Sequence, residues 1–393
     1  MMNYDFDKVT ERKGTNSLKY DFLVERGKPS DALPLWIADM DFPSPEEVRN
    51  ALRNKIDHGI FGYSDPKESY FQAISKWCKE QYGWEVSSEH YLLACGVVFA
   101  ICAMIRAFTR EGDGILVCQP VYYPFEESIR VNRRKLVVSP LVYEDGQYRV
   151  DYEDFERRIV ENDVKLFIVC NPHNPVGRVW TKEELQTMGD ICLKHGVFVI
   201  SDEIHADFVY AGYRHTVFPT VKEEFRQICA VCTAPTKTFN LAGMHIANIY
   251  VENEQAHRAL REEFDRIGYC QPNVMGLVAC EAAYTYGAPW LAALKEYLAG
   301  NLAYVRERLK GTPIKLIEPQ GTYLVWLDCN ALGLSDSELH EFVLNKAKLW
   351  LDDGSIFGVG GEGFERVNIA CPRSVLKTAF DRLLAAVSER VTA

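Results

Sequence analysis

No stretch of this chain approaches the roughly 20 consecutive apolar residues that a membrane-spanning helix requires. The longest apolar run, GVVFAICAMIRAF, is broken by Arg106. A surplus of positive charge is missing too: 44 Lys and Arg face 55 Asp and Glu, for a net charge of −11. That balance argues against a sequence-independent nucleic-acid binder, which needs a basic face. Met1 to Ser30 contains no apolar core of a secretory signal. Only one Cys-x-x-Cys occurs, Cys229 to Cys232, and no second pair stands at a matching spacing. It reads as buried strand rather than as a zinc site. Most other cysteines, Cys102, Cys118 and Cys170 among them, sit inside apolar runs, where a free thiol behaves as a small hydrophobe. The expectation is a reduced, cytoplasmic, soluble protein. Internal repeats and low-complexity segments are absent.

What is present is an ordinary globular composition: 393 residues, 47% apolar, 12% aromatic and 25% charged. The length exceeds what one hydrophobic core supports, so two domains, or one large and one small, are expected. Between about residues 90 and 250, short β-rich apolar runs alternate with helical patterns. The runs cover 115–120, 135–141, 165–172, 197–205, 228–235 and 245–251. One intervening helix, TKEELQTMGDICLKHG, opens on Thr181 with Glu184 three residues on, a capping-box pattern. Runs apolar on both faces and separated by helices predict a mostly parallel sheet covered on both sides. In such sheets ligands bind beyond the carboxyl ends of the strands. After Pro289 a long charged helix leads to short strands (GTYLVWLDC, FERVNIAC) and helices over SDSELHEFVLNKAKLWL and VLKTAFDRLLAAVSERV, an α+β unit. The first 45 residues are rich in Pro and Asp and read as an arm.

Four strand ends carry polar residues of particular kinds: Gln119 to Tyr123, His173 to Gly177, Ser201 to His205, and Thr236 to Thr238. An Asp closing an apolar strand is costly unless paired. A Lys just beyond a buried strand is where burial lowers an ammonium pKa and makes a nucleophilic amine. Singly, Asp202 reads as a helix cap and Lys237 as a surface lysine. Their joint occurrence at successive strand ends points to a site.

The motifs NPHNPVG (171–177), SDEIHADF (201–208) and APTKTFNLAG (234–243) resemble those of fold-type I enzymes that use pyridoxal 5′-phosphate (PLP), the class I/II aminotransferase family. More narrowly, LPLWIADMDF (33–42), FGYSDP (61–66), DEIH in place of DEIY, and FERVNIACPRSVL (364–376) resemble the branch of cystathionine β-lyases and cysteine C–S lyases. The resemblance implies an α/β fold with a large, mostly parallel sheet covered by helices and a smaller α+β C-terminal domain. It divides the chain into an arm over 1–45 that joins the small domain, a PLP-binding domain over 46–288, and a small domain over 289–393.

It also implies roles. Lys237 matches the lysine that forms the Schiff base with the cofactor and shuttles the Cα proton. Asp202 matches the carboxylate facing the pyridine nitrogen, and Asn174 the amide on the phenolic oxygen. His205, where aminotransferases place Tyr, is expected near that oxygen, with a satisfied core histidine as the bland reading. Tyr122 matches the ring stacked on the cofactor. The backbone of Val97 and Val98, after Gly96, matches the phosphate turn. Tyr63 matches the tyrosine that reaches the phosphate from a partner subunit, which implies a homodimer with shared sites. Arg366 matches the arginine that binds the substrate's carboxylate by a fork of donors. Arg373 reads as a surface or domain-interface residue. Two positions depart from the wider family: Ala234 replaces a phosphate-binding Ser and His245 an Arg, with the Thr233 and Thr236 hydroxyls as compensation. GVGGEG (358–363) precedes a strand, not a helix, so it is no nucleotide loop; it reads as a flexible turn before Arg366.

The implied activity is α,β-elimination of cystathionine, cysteine or a related S-substituted cysteine to thiol, pyruvate and ammonia. An amino-acid aminotransferase would use the same residues. A non-catalytic PLP-binding regulator is the reading from another class. In every case the partner is a small amino acid, with no nucleic acid and no membrane.

Overall fold

The computed structural model describes residues 4–392. The first three residues of the expected arm, and Ala393, lie outside them. A seven-stranded sheet forms the centre, in the order 91–94, 247–250, 229–233, 198–202, 164–170, 114–117 and 135–138. Six of these strands run one way; Ala247–Tyr250 is antiparallel to both neighbours. Tyr91–Ala94, at the edge, is a strand that the sequence pattern did not reveal, because YLLA merges into the apolar helix that follows.

The double-sided burial inferred from the runs is visible residue by residue. Leu116, Phe167, Val169, Val199 and Val231 join one apolar cluster. Their neighbours Ile115, Val117, Ile168, Ile200 and Cys232 join another on the opposite face. Cys229 belongs to the first cluster and Cys232 to the second. Residues three apart on a strand point to opposite faces, so the Cys-x-x-Cys spacing brings no thiols together. Thr181 and Glu184 form the full capping box of the Lys182–His195 helix. No helix among the described residues is long and apolar enough to cross a membrane.

The C-terminal part builds a four-stranded antiparallel sheet, order 315–317, 324–328, 364–368 and 352–353. The helices Ala288–Leu309 and Arg373–Thr392 pack against one another beside it. Arg373 ties the two together, donating from Nε to Asn301 Oδ1 at 2.7 Å and lying over the Tyr304 ring. The stretch SDSELHEFVLNKAKLWL is not one helix. Asp336–Glu341 passes into a π-turn over Phe342–Lys346; Lys348 takes a positive φ of 53°, and Leu349–Trp350 becomes a strand. Tertiary pairing overrides helix propensity here: Leu349–Trp350 pairs with Leu33–Pro34 of the arm, and Trp350 stacks on Trp36 at 4.4 Å.

The segment after that pairing, 36–42, matters most for the site. It has no regular structure of its own and is held by side chains from both parts of the molecule. Asn240 accepts from the Met40 N–H and donates to the Met40 and Phe42 carbonyls, each at 2.9 Å. Asn368 donates to the Ile37 and Asp39 carbonyls at 2.8 and 2.6 Å. Buried Lys19 reaches Asp41 at 2.9 Å, and Arg12 bridges Asp39 and Asp41. Asn240 also sits at a φ of 57°, a conformation that Asn tolerates better than Ala. Asn240→Ala is therefore expected to cost about 2–3 kcal/mol, from lost hydrogen bonds and backbone strain. A urea melt with a lower midpoint and an unchanged m-value checks this; an unchanged midpoint counts against the clamp.

Candidate active site

The registers Cys170↔Asp202 and Asp202↔Cys232 bring three strands to a common end. Beyond that end lies a cavity of about 520 Å³. Its floor is the sheet's carboxyl edge, one wall is the segment Trp36–Ala38, and a second comes from the small domain through Asp352 and Arg366. A somewhat larger groove, near Phe108, Lys165 and Phe198, opens toward the strands' other ends and has none of the strand-end polar residues.

Lys237 follows the Cys229–Thr233 strand on a single helical turn, Pro235–Thr238. Its Nζ donates to the Ala38 carbonyl at 2.7 Å. Burial, and then the positive charge of Arg366, bring its pKa down to about 8, against the pull of Asp39 and Asp202. A free amine is thus accessible near neutral pH.

Asp202 closes its strand and is buried. One oxygen accepts the Ile204 N–H at 3.2 Å. Burial pushes its carboxyl up to about 7, while Ile204 and Lys237 pull it down. The group waits for a cationic or protonated partner. His205 is also buried; among the described residues neither ring nitrogen has a hydrogen-bond partner, and its Nδ1 is wholly enclosed. Burial first, then Lys237 and Arg366, hold its pKa well below the ordinary value, so the imidazole is neutral.

Arg366 projects from the Phe364–Asn368 strand of the small domain and is buried. It donates from Nη1 to Asn174 Oδ1 at 2.9 Å, and from Nη2 to the Trp36 carbonyl at 3.0 Å and to Asp352. The first of these bonds fixes the Asn174 amide, turning its NH₂ away from Arg366 with no partner among the described residues. Tyr122 and Tyr123 both line the cavity, their ring centroids 5.7 Å apart.

The Val97–Phe108 helix begins at the cavity's edge. Gly96 precedes it at φ 154° and ψ 160°, a region that essentially only glycine enters. The first amides of this 12-residue helix are free of intrahelical partners and form an anion cradle. Thr236 lines the same space; the Thr233 hydroxyl instead reaches the Asn248 carbonyl, at 3.4 Å. Of the two hydroxyls that stood as replacements for the absent Ser, Thr236 is the one at the cavity. His245 also faces it.

With that geometry, the similarity to known proteins is direct. The chain matches the family "Aminotransferase class I and II" over residues 30–383. It belongs to that family. It is 41% identical over 388 residues to the cystathionine beta-lyase PatB of Bacillus subtilis, covering 98% of this chain and 100% of that one. Protein MalY of Escherichia coli is 34% identical, with 98% and 99% covered. Among solved structures, cystalysin from Treponema denticola, which contains a pyridoxal 5′-phosphate cofactor, superposes with a TM-score of 0.95 at 36% identity, covering 99% of this chain and 100% of that one. The PLP-bound C–S lyase from Staphylococcus hominis superposes at 0.92 with 31% identity, covering 98% of each. The fold is the type I PLP-transferase fold.

The residues present fit that cofactor on structural grounds. A buried carboxylate, an unpaired buried imidazole, a free amide NH₂, an aromatic ring and an anion cradle surround one lysine of lowered pKa. Lys237, Asp202, His205, Asn174, Tyr122, Thr236, Val97, Val98 and Arg366 all line the one cavity. Tyr63 does not; it is 95% exposed on the stretch between two helices.

Sequence reasoning missed Asp352 and the wall over Trp36–Ala38. Asp352 carries no local signal, lying in LDDG among other acidic residues. The turn at 358–363 is packed at two of its glycines. Gly358 at φ 92° lies against the Gln119 amide, where a Cβ would fall 2.2 Å from Cδ, and Gly361 abuts the Gly354 carbonyl.

The lowered pKa of Lys237 is measurable. In the cofactor-free chain, acylation of Lys237 followed by mass spectrometry is expected to rise with a midpoint near pH 8. Arg366→Gln removes a cation that disfavours the ammonium form, so the midpoint moves to higher pH. A wild-type midpoint at the ordinary lysine value of about 10.4 would contradict the electrostatic picture.

Proposed function

We propose that this chain is a PLP-dependent carbon–sulfur β-lyase acting on cystathionine, cysteine or a related S-substituted cysteine. The observation that carries the reading is the Lys237 amine, at about pKa 8, in one cavity with Asp202 and Arg366. Full-length similarity to proteins named cystathionine beta-lyase and C–S lyase supports the branch. The net reaction takes up one water: the Cβ–S bond breaks, the sulfur leaves as a thiol, and the remaining three carbons become pyruvate and ammonia.

PLP, when bound, supplies a conjugated ring that accepts the electron pair left at the substrate's Cα. Lys237 Nζ would anchor the group covalently, and its amine would serve as the base for the Cα proton. Asp202, which makes no ion pair among the described residues, would hold a proton on the ring nitrogen. Asn174 offers its free NH₂ to the phenolic oxygen, because Arg366 occupies its carbonyl. His205, neutral and unpaired, stands by as a second donor. Tyr122 stacks on the ring. The Val97 and Val98 amides, with Thr236, hold the phosphate; Arg366 binds the substrate's carboxylate and orients the Cα–H bond toward Lys237.

We further propose a homodimer in which Tyr63 completes the partner's phosphate site. Supporting it, Ile56, Ile60, Phe61 and Tyr63 are exposed over one short stretch, a patch suited to cover. All twelve cysteines are free thiols, in keeping with a reducing, cytoplasmic setting. Supporting the division at residues 45 and 288 are the arm's pairing with Leu349–Trp350 and the start of the long helix at Ala288.

The activity is tested by incubating the holoenzyme with L-cystathionine and no keto-acid acceptor. Pyruvate should appear at a rate that Lys237→Ala abolishes; pyruvate formation that waits for an acceptor identifies an aminotransferase instead. The shared site is tested by mixing Tyr63→Phe with Lys237→Ala. After subunit exchange one site per mixed dimer regains both native residues, so activity should rise above the mean of the parents. Activity that stays at that mean, with exchange demonstrated, rules the shared site out.

A further inference from the structure

Arg366 is already fully engaged on one side. Its Nη2 donates to the Trp36 carbonyl at 3.0 Å and to the Asp352 carboxylate, and its Nη1 donates to Asn174 at 2.9 Å. The Phe357 ring covers the guanidinium at 4.8 Å. The hydrogens that remain are on Nε, which is buried without a partner, and one on Nη1. They do not share an edge of the guanidinium plane. A carboxylate binds arginine best through two parallel N–H bonds from one edge, and no such edge is free.

One of the present acceptors must therefore yield. The Trp36 carbonyl is backbone, in a segment pinned by the Asn368 bonds to Ile37 and Asp39. The Asn174 carbonyl sits among strand-end residues beside Cys170, whose sulfur accepts the Asn174 N–H at 3.4 Å. Asp352 alone is a side chain with the same chemistry and charge as the incoming group. It lies directly opposite Arg366 in the antiparallel register and lines the cavity. Its ionised form is held at some cost, since burial pushes its carboxyl up against the pull of Arg366.

We infer that Asp352 is a placeholder for the substrate's carboxylate, neutralising Arg366 in the empty site and releasing the guanidinium when substrate binds. This rests on the reading of Arg366 as the carboxylate site. Asp352 acts through Arg366. It sets a threshold: an anion that engages a single N–H does not displace it, whereas a carboxylate that makes two bonds does. The cost of the unpaired cation is thus avoided between turnovers, in exchange for weaker substrate binding.

The test uses the holoenzyme and 3-(methylsulfanyl)propanoate, which has the carboxylate and thioether but no amino group to exchange with Lys237. Its Kd is measured by calorimetry, and its effect on Tm by thermal unfolding. Asp352→Asn keeps an acceptor and removes the charge. It is expected to melt lower without ligand, to bind the probe at least about tenfold more tightly than wild type, and to show the larger ligand-induced rise in Tm. Asp352→Glu, which keeps the charge, should stay near wild type. A merely structural Asp352 also predicts the lower melting temperature but no tighter binding, so equal or weaker binding by Asp352→Asn overturns the proposal. Should that variant not fold, a crystal structure of the wild-type holoenzyme with the probe decides. Asp352 moved off Nη2 supports the placeholder, and Asp352 still paired overturns it. Arg366→Gln separates the two ideas. If it binds the probe as wild type does, the carboxylate assignment of Arg366 is wrong and the placeholder falls with it. If it loses the probe while Asp352→Asn gains nothing, only the placeholder is wrong.

Discussion

Two cations and two carboxylates line one cavity, and much of the architecture follows from keeping them there. Lys237, Arg366, Asp202 and Asp352 all line it. Each would be costly to bury alone. Together they leave Lys237 easy to deprotonate and Asp202 easy to protonate, at about 8 and about 7. Burial is the first cause of both shifts, in opposite directions for opposite charges, as desolvation requires. Water admitted to the cavity would return both groups toward their solution behaviour.

Holding these four groups together is a task for the whole fold. The sheet supplies a floor that is apolar on both faces, so only the strand ends offer polar groups. The small domain supplies Arg366 from a strand whose register also sets Asp352. The segment 36–42 closes the gap with no regular structure, held from one side by Asn240 and Lys237 and from the other by Asn368, Arg366 and Tyr323. A loop so tied is a wall. Its side chains and carbonyls become part of the site, as the Ala38 carbonyl on Lys237 illustrates.

The sheet and the strand-end residues were legible in the sequence because both depend on local pattern. Apolar runs of strand length, bounded by Asn-Pro, Asp-Glu and Thr-Lys, mark strand and turn without knowledge of neighbours. Six of the seven strands of the central sheet were read in this way. Reversal of Ala247–Tyr250 was not legible, since direction is a property of pairing. Leu349–Trp350 looked helical for the same reason: its partner lies over 300 residues away in the arm. Asp352 was invisible because an acidic residue among acidic residues signals nothing until the register sets it opposite an arginine. What sequence reports poorly is any residue whose role comes from a partner distant in the chain.

Arg366 joins the two halves of the chemistry. One hydrogen bond turns the Asn174 amide, which faces the space where the cofactor's oxygen would lie. The charge of the same guanidinium, some distance off, lowers the pKa of Lys237. Whatever replaces Asp352 on Arg366 therefore alters the surroundings of a cation that the lysine feels. A substrate carboxylate brings in a negative charge as Asp352 withdraws its own, leaving the field at Lys237 nearly unchanged. On the placeholder reading, Arg366 would exchange one carboxylate for another with no net change of charge at the cavity wall.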